Sequence, residues 1–522
     1  MSNNLKPENG GDSKTPPIKG TPGPARAVPP SGPTPPAKAP PVKLPPLFRN
    51  IDWLTFAITT LFTFIGYYLT LAPQVTLEDS GELATASMYA GVPHPPGYPV
   101  WTIYTWLFTV LFPVSNIAYR VGMSSAVAGA FGCGIVAMLV SRGSSMIIEG
   151  MAELKALDRR LENALCIVAG FVAGMLIGFN GFMWSQAVIV EVYTLSVLSL
   201  AGVLVCLMRW IYAPHQRGYL YLAFFWFGIC FNNHQSLLVI ALGLEVAVIA
   251  AAPRLGRSLL LWSTVVFLAG LLGKSLGMVS VLNDNDPLLF IYFVIGIAHS
   301  IGWVVLVVKT KQSGLELGRD FAVIGAIGYL ILLGLTITNY VTFFEFKTGL
   351  FVLFNMIGLG IIGAAVYLAM QTWKVGREWL GALLCGICWS LGAAFYLYMP
   401  LASMTNPPLN WGYPRTVTGF FHAFTRGQYE RIHPTTLPTR FVEQLIMYIS
   451  GALEEFNFAY VLIGLVPFLF YKRMQRRERA WVVGLSSIYF CLSIFLLILL
   501  NPAADRQSRD LNKPFFTASH VL

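Results

Sequence analysis

Charge is what this sequence has least of. Lys, Arg, Asp and Glu make up 11% of its 522 residues, and only 25 residues are acidic, whereas a soluble domain carries about 25% charge. With 55% hydrophobic residues and a mean hydropathy of +0.63, a soluble fold is excluded. Also missing are the alternating segments of about ten residues that build membrane β-barrels. No Walker A, no G-x-G-x-x-G after a strand and no H-E-x-x-H occurs, so nucleotide-driven or nicotinamide chemistry has no support. The seven cysteines are an odd number, all in or beside apolar stretches, and imply no disulfide framework. Cys385-Gly-Ile-Cys388 has a redox or metal spacing, but it sits mid-segment, where small packing residues are the plainer reading. An apolar signal-peptide core is absent from residues 1–48, so the first apolar segment is expected to act as an uncleaved anchor. Those residues hold 14 of the 32 prolines, too polar and proline-rich to build a core. They read as a disordered cytosolic tail, a plain tether or a PxxP ligand for a partner domain.

What is present is repeated apolar length. Segments fall at 51–72, 99–113, 122–141, 164–180, 193–209, 218–231, 236–252, 258–282, 288–308, 321–341, 348–371, 378–399, 456–471 and 481–500. Most have the roughly 18–25 residues that a helix needs to span a bilayer. The segment 99–113 has fifteen residues between prolines and reads as interfacial. The predicted fold class is therefore all-α and polytopic, with about thirteen transmembrane helices in 49–522. An interfacial helix lies in the first outer loop, 73–121, and a second long outer loop covers 400–455. The net charge of +10 would suggest nucleic acid in a soluble protein; here it reads as positive-inside bias, with no nucleic-acid partner. If 99–113 does not cross, the loops 142–163, 210–217, 253–257, 309–320, 372–377 and 472–480, with their flanks, hold eighteen Lys/Arg, and the tail through Arg49 adds seven. The opposite face holds nine. If 99–113 crossed, every later loop would change sides and the bias would reverse.

This topology gathers polar residues of functional type on the outer face. Glu78-Asp79-Ser80-Gly81-Glu82 puts three carboxylates where the chain leaves the membrane. Asp79 and Glu82, three apart on one face of a helix over 80–90, could converge on a polar substrate or a divalent cation, or form a capping box. A partly desolvated carboxylate can serve as general base. His94-Pro95-Pro96-Gly97-Tyr98-Pro99 is a rigid turn, either a hinge or a site element through His94. Glu191 is a lone carboxylate among apolar residues beside Tyr193, able to pair with an outer cation. Phe231-Asn232-Asn233-His234-Gln235 reads as a polar turn that could place His234 in the site. Asn283-Asp284-Asn285-Asp286 reads as another turn, with cation binding as the alternative. Lys274 lies deep in an apolar segment, far from either end, and reads as a snorkelling lysine or as the partner of a phosphate or carboxylate. Asn410-Trp411-Gly412-Tyr413-Pro414-Arg415 and Phe420 to Tyr429, with Arg426, combine aromatics and arginines. They suit a sugar or isoprenoid face with a phosphate, or an interfacial belt.

In this order the motifs resemble GT-C glycosyltransferases. Within them the match is to a polytopic family long catalogued as a domain of unknown function and linked to protein O-mannosyltransfer. The resemblance rests on Asp79-Ser80-Gly81-Glu82, Gly91 to Pro99, Ala118-Tyr119-Arg120, Gln186 to Tyr193, Asn233-His234-Gln235 and Asn410-Trp411-Gly412 to Tyr429. It implies transfer of a hexose, with mannose the expected sugar, from a polyprenyl-phosphate-linked donor to a protein Ser/Thr hydroxyl or a glycan. The site would face the periplasm or lumen. Asp79 would be the base, Glu82 would orient the acceptor, and Arg426 with Arg415 would steady the leaving lipid phosphate. Glu78, His94, Glu191, Tyr193, His234 and Trp411 would complete the substrate site. Some relatives continue into a soluble repeat region, so this chain is expected either to lack that region or to be a fragment. The tail without a signal peptide points to a bacterial plasma membrane, with the ER membrane the eukaryotic equivalent. The alternative function is a polytopic transporter or lipid flippase, which predicts carboxylates near the midplane and internal repeats.

Overall fold

A computed structural model of the chain describes residues 46–522 apart from 77, 276–285, 340, 373–376, 430–432 and 504. Most of the proline-rich tail lies outside the described residues. So do Asn283, Asp284 and Asn285 of the expected turn, and Lys374 and Arg431 of the charge count. In chain order the helices are α1 (Asn50–Leu69), α2 (Ser80–Tyr89), α3 (Pro99–Leu111), α4 (Ile117–Gly150), α5 (Arg159–Gly178), α6 (Gly181–Ala187) and α7 (Tyr193–Tyr212). Then follow α8 (Arg217–Asn233), α9 (Ile240–Ala251), α10 (Pro253–Ser275), α11 (Asp286–Lys309), α12 (Gly314–Ile337), α13 (Thr348–Gln371) and α14 (Arg377–Ala393). The last are α15 (Tyr398–Met404), α16 (Val417–Phe424), α17 (Pro438–Leu469), α18 (Arg476–Phe490), α19 (Leu496–Leu500) and α20 (Arg506–Phe516). Among the described residues the only extended pairing is an isolated bridge between Val92 and Asn410.

Among the described residues ten helical stretches, including α14 continued through α15 and α18 continued through α19, are long and apolar enough to cross a membrane, against thirteen expected. The remaining three are α1, α8 and α9. Helix α1 has the length but carries Asp52 and four threonines, and α8 and α9 are short. Helix α3 has 13 residues, about 20 Å at 1.5 Å per residue, too short for a hydrocarbon core of about 30 Å. The expected long loop 400–455 is largely helical, because α15, α16 and the start of α17 fall within it. In α17 the backbone breaks at Asn457 (φ 61°, ψ 151°).

Starts follow local chemistry. Asn116 caps α4 by accepting from Tyr119 N at 2.9 Å. Asp158 caps α5, Ser313 and Glu316 form a capping box on α12, and Pro99 and Pro438 open α3 and α17. Close packing follows small residues. Gly170, Gly174 and Gly178 of α5 face Thr55, Thr59 and Thr63 of α1 and the Cys133 and Ala137 region of α4 so tightly that no side chain would fit. Asn232 of α8 donates to Gly228 O and across to Gly392 O of α14, both at 2.8 Å. It is thus a buried tie between helices, not part of an exposed polar turn. The largest buried cluster joins α7, α8, α9, α14 and α18. Helices α11, α12 and α13 show only 6%, 11% and 11% of their apolar windows buried, against 78% for α7, leaving apolar faces suited to lipid. All seven cysteines are free, with Cys385 and Cys388 both in α14.

Candidate active site

The acidic motif stands at the start of α2. Asp79 precedes the helix, yet its side chain makes no capping hydrogen bond, which removes the capping-box reading. Glu82 does not reach back along α2 either. Its Oε1 accepts from His94 N at 2.6 Å, and its Oε2 lies 3.2 Å from His94 Nδ1. His94 is fixed from three directions. Its Nε2 is 3.2 Å from the Tyr98 hydroxyl and 3.8 Å from Asp79 Oδ2, while the Gly97 N–H donates to its carbonyl at 2.9 Å. The proline-rich turn thus serves the site and also leads into α3. Burial opposes the Glu82 charge, but the hydrogen bonds and charge of His94, with a hydrogen bond from Trp411, outweigh it and hold the carboxyl below its usual range. The Asp79 side chain is 58% exposed and free to meet a substrate. Asp79, Glu82 and His94 each offer a ligand atom within 4.8 Å of the others, and two carboxylates with an imidazole suit a divalent cation that keeps open positions for substrate oxygens.

Glu78 and Glu191 form a second carboxyl pair. Glu78 has a left-handed backbone (φ 64°). Burial, then the charges of Glu78 and Asp79 and a hydrogen bond with Glu78, push Glu191 up to about 8, against a backbone hydrogen bond from Val192. The expected cation partner for Glu191 is replaced by another carboxyl, which is stable only while one of the two keeps a proton. Trp101 Nε1 and Ser125 Oγ donate to the Glu191 carbonyl at 3.1 and 3.2 Å, locking the entry to α7. Arg120 donates to the carbonyls of Thr109, Val114 and Ser115 at 2.9–3.1 Å, closing the end of α3.

The later loop is stitched onto this cluster by backbone. Val92 N donates to Leu409 O at 3.0 Å and Trp411 N to Val92 O at 3.1 Å, which brings Trp411 to Glu82. Tyr398 adds its hydroxyl to Ala90 O at 2.5 Å. Arg426, in the left-handed region (φ 58°), sits 4.5 Å over the Tyr429 ring. Burial raises the Tyr429 phenol, and the charges of Asp79 and Glu82 add to the rise against that of Arg426, so this loop lies beside the carboxylates. Gln235 holds it in place, its amide donating to Phe424 O at 2.8 Å and Tyr396 Oη at 3.2 Å. Burial first and the Arg426 charge second push His234 down to about 3. It is therefore neutral, with its ring 5.2 Å from Tyr193 and 5.1 Å from Phe515.

Nine of the ten residues expected in the site are drawn together. Arg415 stands apart, exposed, donating to Asn406 Oδ1 and lying 5.5 Å over Tyr413. Tyr98, Gln235 and Tyr398 are structural members that motif reading did not single out, although Tyr98 and Gln235 fall inside quoted motifs. Phe515 gave no signal at all.

Residues 79–254 match the family described as the Protein O-mannosyl-transferase TMEM260 N-terminal domain. That stretch begins on Asp79 and includes Glu82, His94, Glu191, Tyr193 and His234; Trp411, Arg415 and Arg426 lie beyond it. The chain is 27% identical over 212 residues to a mouse protein named Protein O-mannosyl-transferase TMEM260, covering 40% of this chain and 27% of that one. It is 34% identical over 67 residues to a Dictyostelium discoideum protein of the same name, covering 12% of this chain and 8% of that one. The matched regions thus span well under a third of these curated relatives. No solved structure matches. From Asp79 to Arg254, then, the chain is protein O-mannosyl-transferase-like in sequence and folds as part of a polytopic, all-α membrane protein.

Proposed function

We propose that the protein is a membrane glycosyltransferase that moves a hexose, mannose, from a polyprenyl-phosphate carrier to a protein Ser/Thr hydroxyl on the outer or lumenal face. The observation that carries this reading is Asp79. Its carboxylate is kept out of helix capping, exposed, beside the Glu82–His94 pair and in reach of the loop bearing Arg426.

Asp79 is the base. It takes the acceptor hydroxyl's proton as that oxygen bonds to C1 of the sugar. The bond from C1 to the phosphate oxygen breaks, and its electron pair leaves on the lipid phosphate. Arg426 offsets the charge growing there, worth about 10²–10³ in rate for a comparable donor. Glu82, oriented by His94, accepts a hydrogen bond from the incoming hydroxyl or the sugar. Trp411 offers a ring to the sugar face, and neutral His234 sets the position of Tyr193. A divalent cation, where bound, would be held by Asp79, Glu82 and His94 and would supply Lewis-acid charge stabilisation to substrate oxygens.

A transporter or flippase is the alternative, and one observation favours it. Within apolar helices, His299 Nε2 of α11 lies 2.7 Å from Glu245 Oε2 of α9, with Ser263 of α10 donating to Glu245. Ionisable pairs at such depth often mark transport paths. The assay is purified protein with labelled polyprenyl-phosphate-mannose and a Ser/Thr-rich acceptor. Acid-stable label on the acceptor, lost in Asp79→Asn, is the expected result. Wild-type protein that moves lipid or sugar between compartments but leaves the acceptor unlabelled would sink the transferase reading.

A further inference from the structure

The end of the bundle remote from Asp79 carries an open cleft of about 1130 Å³. It is built where α7 and α11 end, α8, α14 and α18 begin, and α9 turns into α10. Tyr193 and Trp210 mark opposite ends of α7, about 25 Å apart along the axis, so site and cleft are separated by nearly the thickness of a bilayer core.

The lining includes five cations, Arg217, Arg254, Lys309, Lys311 and Arg476, with Glu378 as its one carboxylate. Glu378 is engaged by Arg217 at 3.0 Å. Among the described residues no ion pair involves Arg254, Lys309, Lys311 or Arg476. A positive-inside bias explains cations on this face, but it requires neither their convergence on a cleft nor what lies at its wall. Trp210 is 1% exposed, and its indole N–H has no hydrogen-bond partner among the described residues. A buried donor left unmade is costly, and Trp210 belongs to the wall of the cleft. Pro253, Leu255 and Leu380 supply apolar wall between the charges.

We propose that this cleft binds a phosphate group, with lysine and arginine around its charge and the Trp210 indole at its wall. Two sources carry that chemistry: the headgroup of an anionic lipid in the adjacent leaflet and a soluble phosphate compound. The site is independent of the transferase reading.

The test uses the whole chain in nanodiscs. In the lipid arm, discs of phosphatidylcholine with phosphatidylglycerol are followed by native mass spectrometry of retained lipid. In the soluble arm, inorganic pyrophosphate is titrated calorimetrically into discs of phosphatidylcholine alone. The variant Arg254→Gln/Lys311→Gln changes two exposed side chains and should weaken binding roughly thirtyfold. Trp210→Phe, which removes the indole N–H from the wall and leaves an aromatic ring there, should weaken it further. Lys155→Gln/Arg159→Gln, away from the cleft, is the control. Variant-sensitive retention of phosphatidylglycerol supports a lipid site, and variant-sensitive pyrophosphate binding without lipid preference supports a soluble ligand. Loss equal in the control, or no variant-sensitive binding in either arm, overturns the proposal.

Discussion

Replacing Glu191 by Gln should stabilise the protein by an amount that grows with pH. The Glu191 carboxyl is buried beside Glu78 and Asp79 and titrates at about 8, against an ordinary value of 4.5. Between those values the folded chain keeps a proton that the unfolded chain has released. Stability from this group is therefore full below about pH 4.5 and falls as pH rises, by about 1.4 kcal/mol per unit. The loss reaches roughly 3 kcal/mol at pH 7 and about 4 kcal/mol at pH 8, then levels off near about 5 kcal/mol. Glutamine has no proton to lose. Its carbonyl can accept from Val192 N–H, as Glu191 Oε2 does at 3.1 Å, and its amide can donate to Glu78. The wild-type and variant proteins should match near pH 5 and diverge steadily to pH 8. Thermal midpoints of detergent-solubilised protein across pH 5–9 measure this, and the difference between the two chains cancels every other titrating group. A difference that stays constant or shrinks with rising pH would refute the assignment of a buried, protonated Glu191.

Three other outcomes follow from the same geometry. Asp79→Asn should cost about 10²–10⁴ in transfer rate and leave the thermal midpoint unchanged, since no cap is lost; a large drop in midpoint would return Asp79 to a structural role. Arg426→Lys should lower the rate about a hundredfold through loss of its planar fork, whereas Arg415→Gln, whose guanidinium is occupied by Asn406, should stay within threefold; equal losses in labelled-acceptor assays would contradict the distinction. Gly91→Ala would place a methyl 2.5 Å from Leu409 O at the point where Val92 and Trp411 tie the two loops, costing about 1–3 kcal/mol and displacing Trp411, so quenching of tryptophan fluorescence by added sugar donor should weaken.

The two levels of description divide at identifiable residues. Hydropathy alone located the ten stretches that are long and apolar enough to cross a membrane among the described residues, because a bilayer demands length and apolarity that no other arrangement satisfies. It missed the helical content of 400–455, where turn-rich sequence hid α16 and the start of α17. It also took Asn232 for part of a loop, because the sequence does not show that Gly392 of α14 waits opposite. The acidic cluster was legible as a cluster, but its internal division was not.

By itself, the sequence determined that this is an all-α membrane protein, that polar chemistry gathers at one end of its helices, and that Asp79, Glu82 and His94 are close in the chain. Tertiary structure alone decided which groups meet. His94 orients Glu82, Glu191 faces Glu78 and not a cation, Arg426 reaches the carboxylates while Arg415 does not, and five cations from four separate parts of the chain converge on one cleft. The physical reason is range. Bilayer insertion and helix propensity act on contiguous residues and can be read along the chain. Hydrogen bonds and charge interactions act over a few ångströms between residues far apart in sequence, and only packing brings those together.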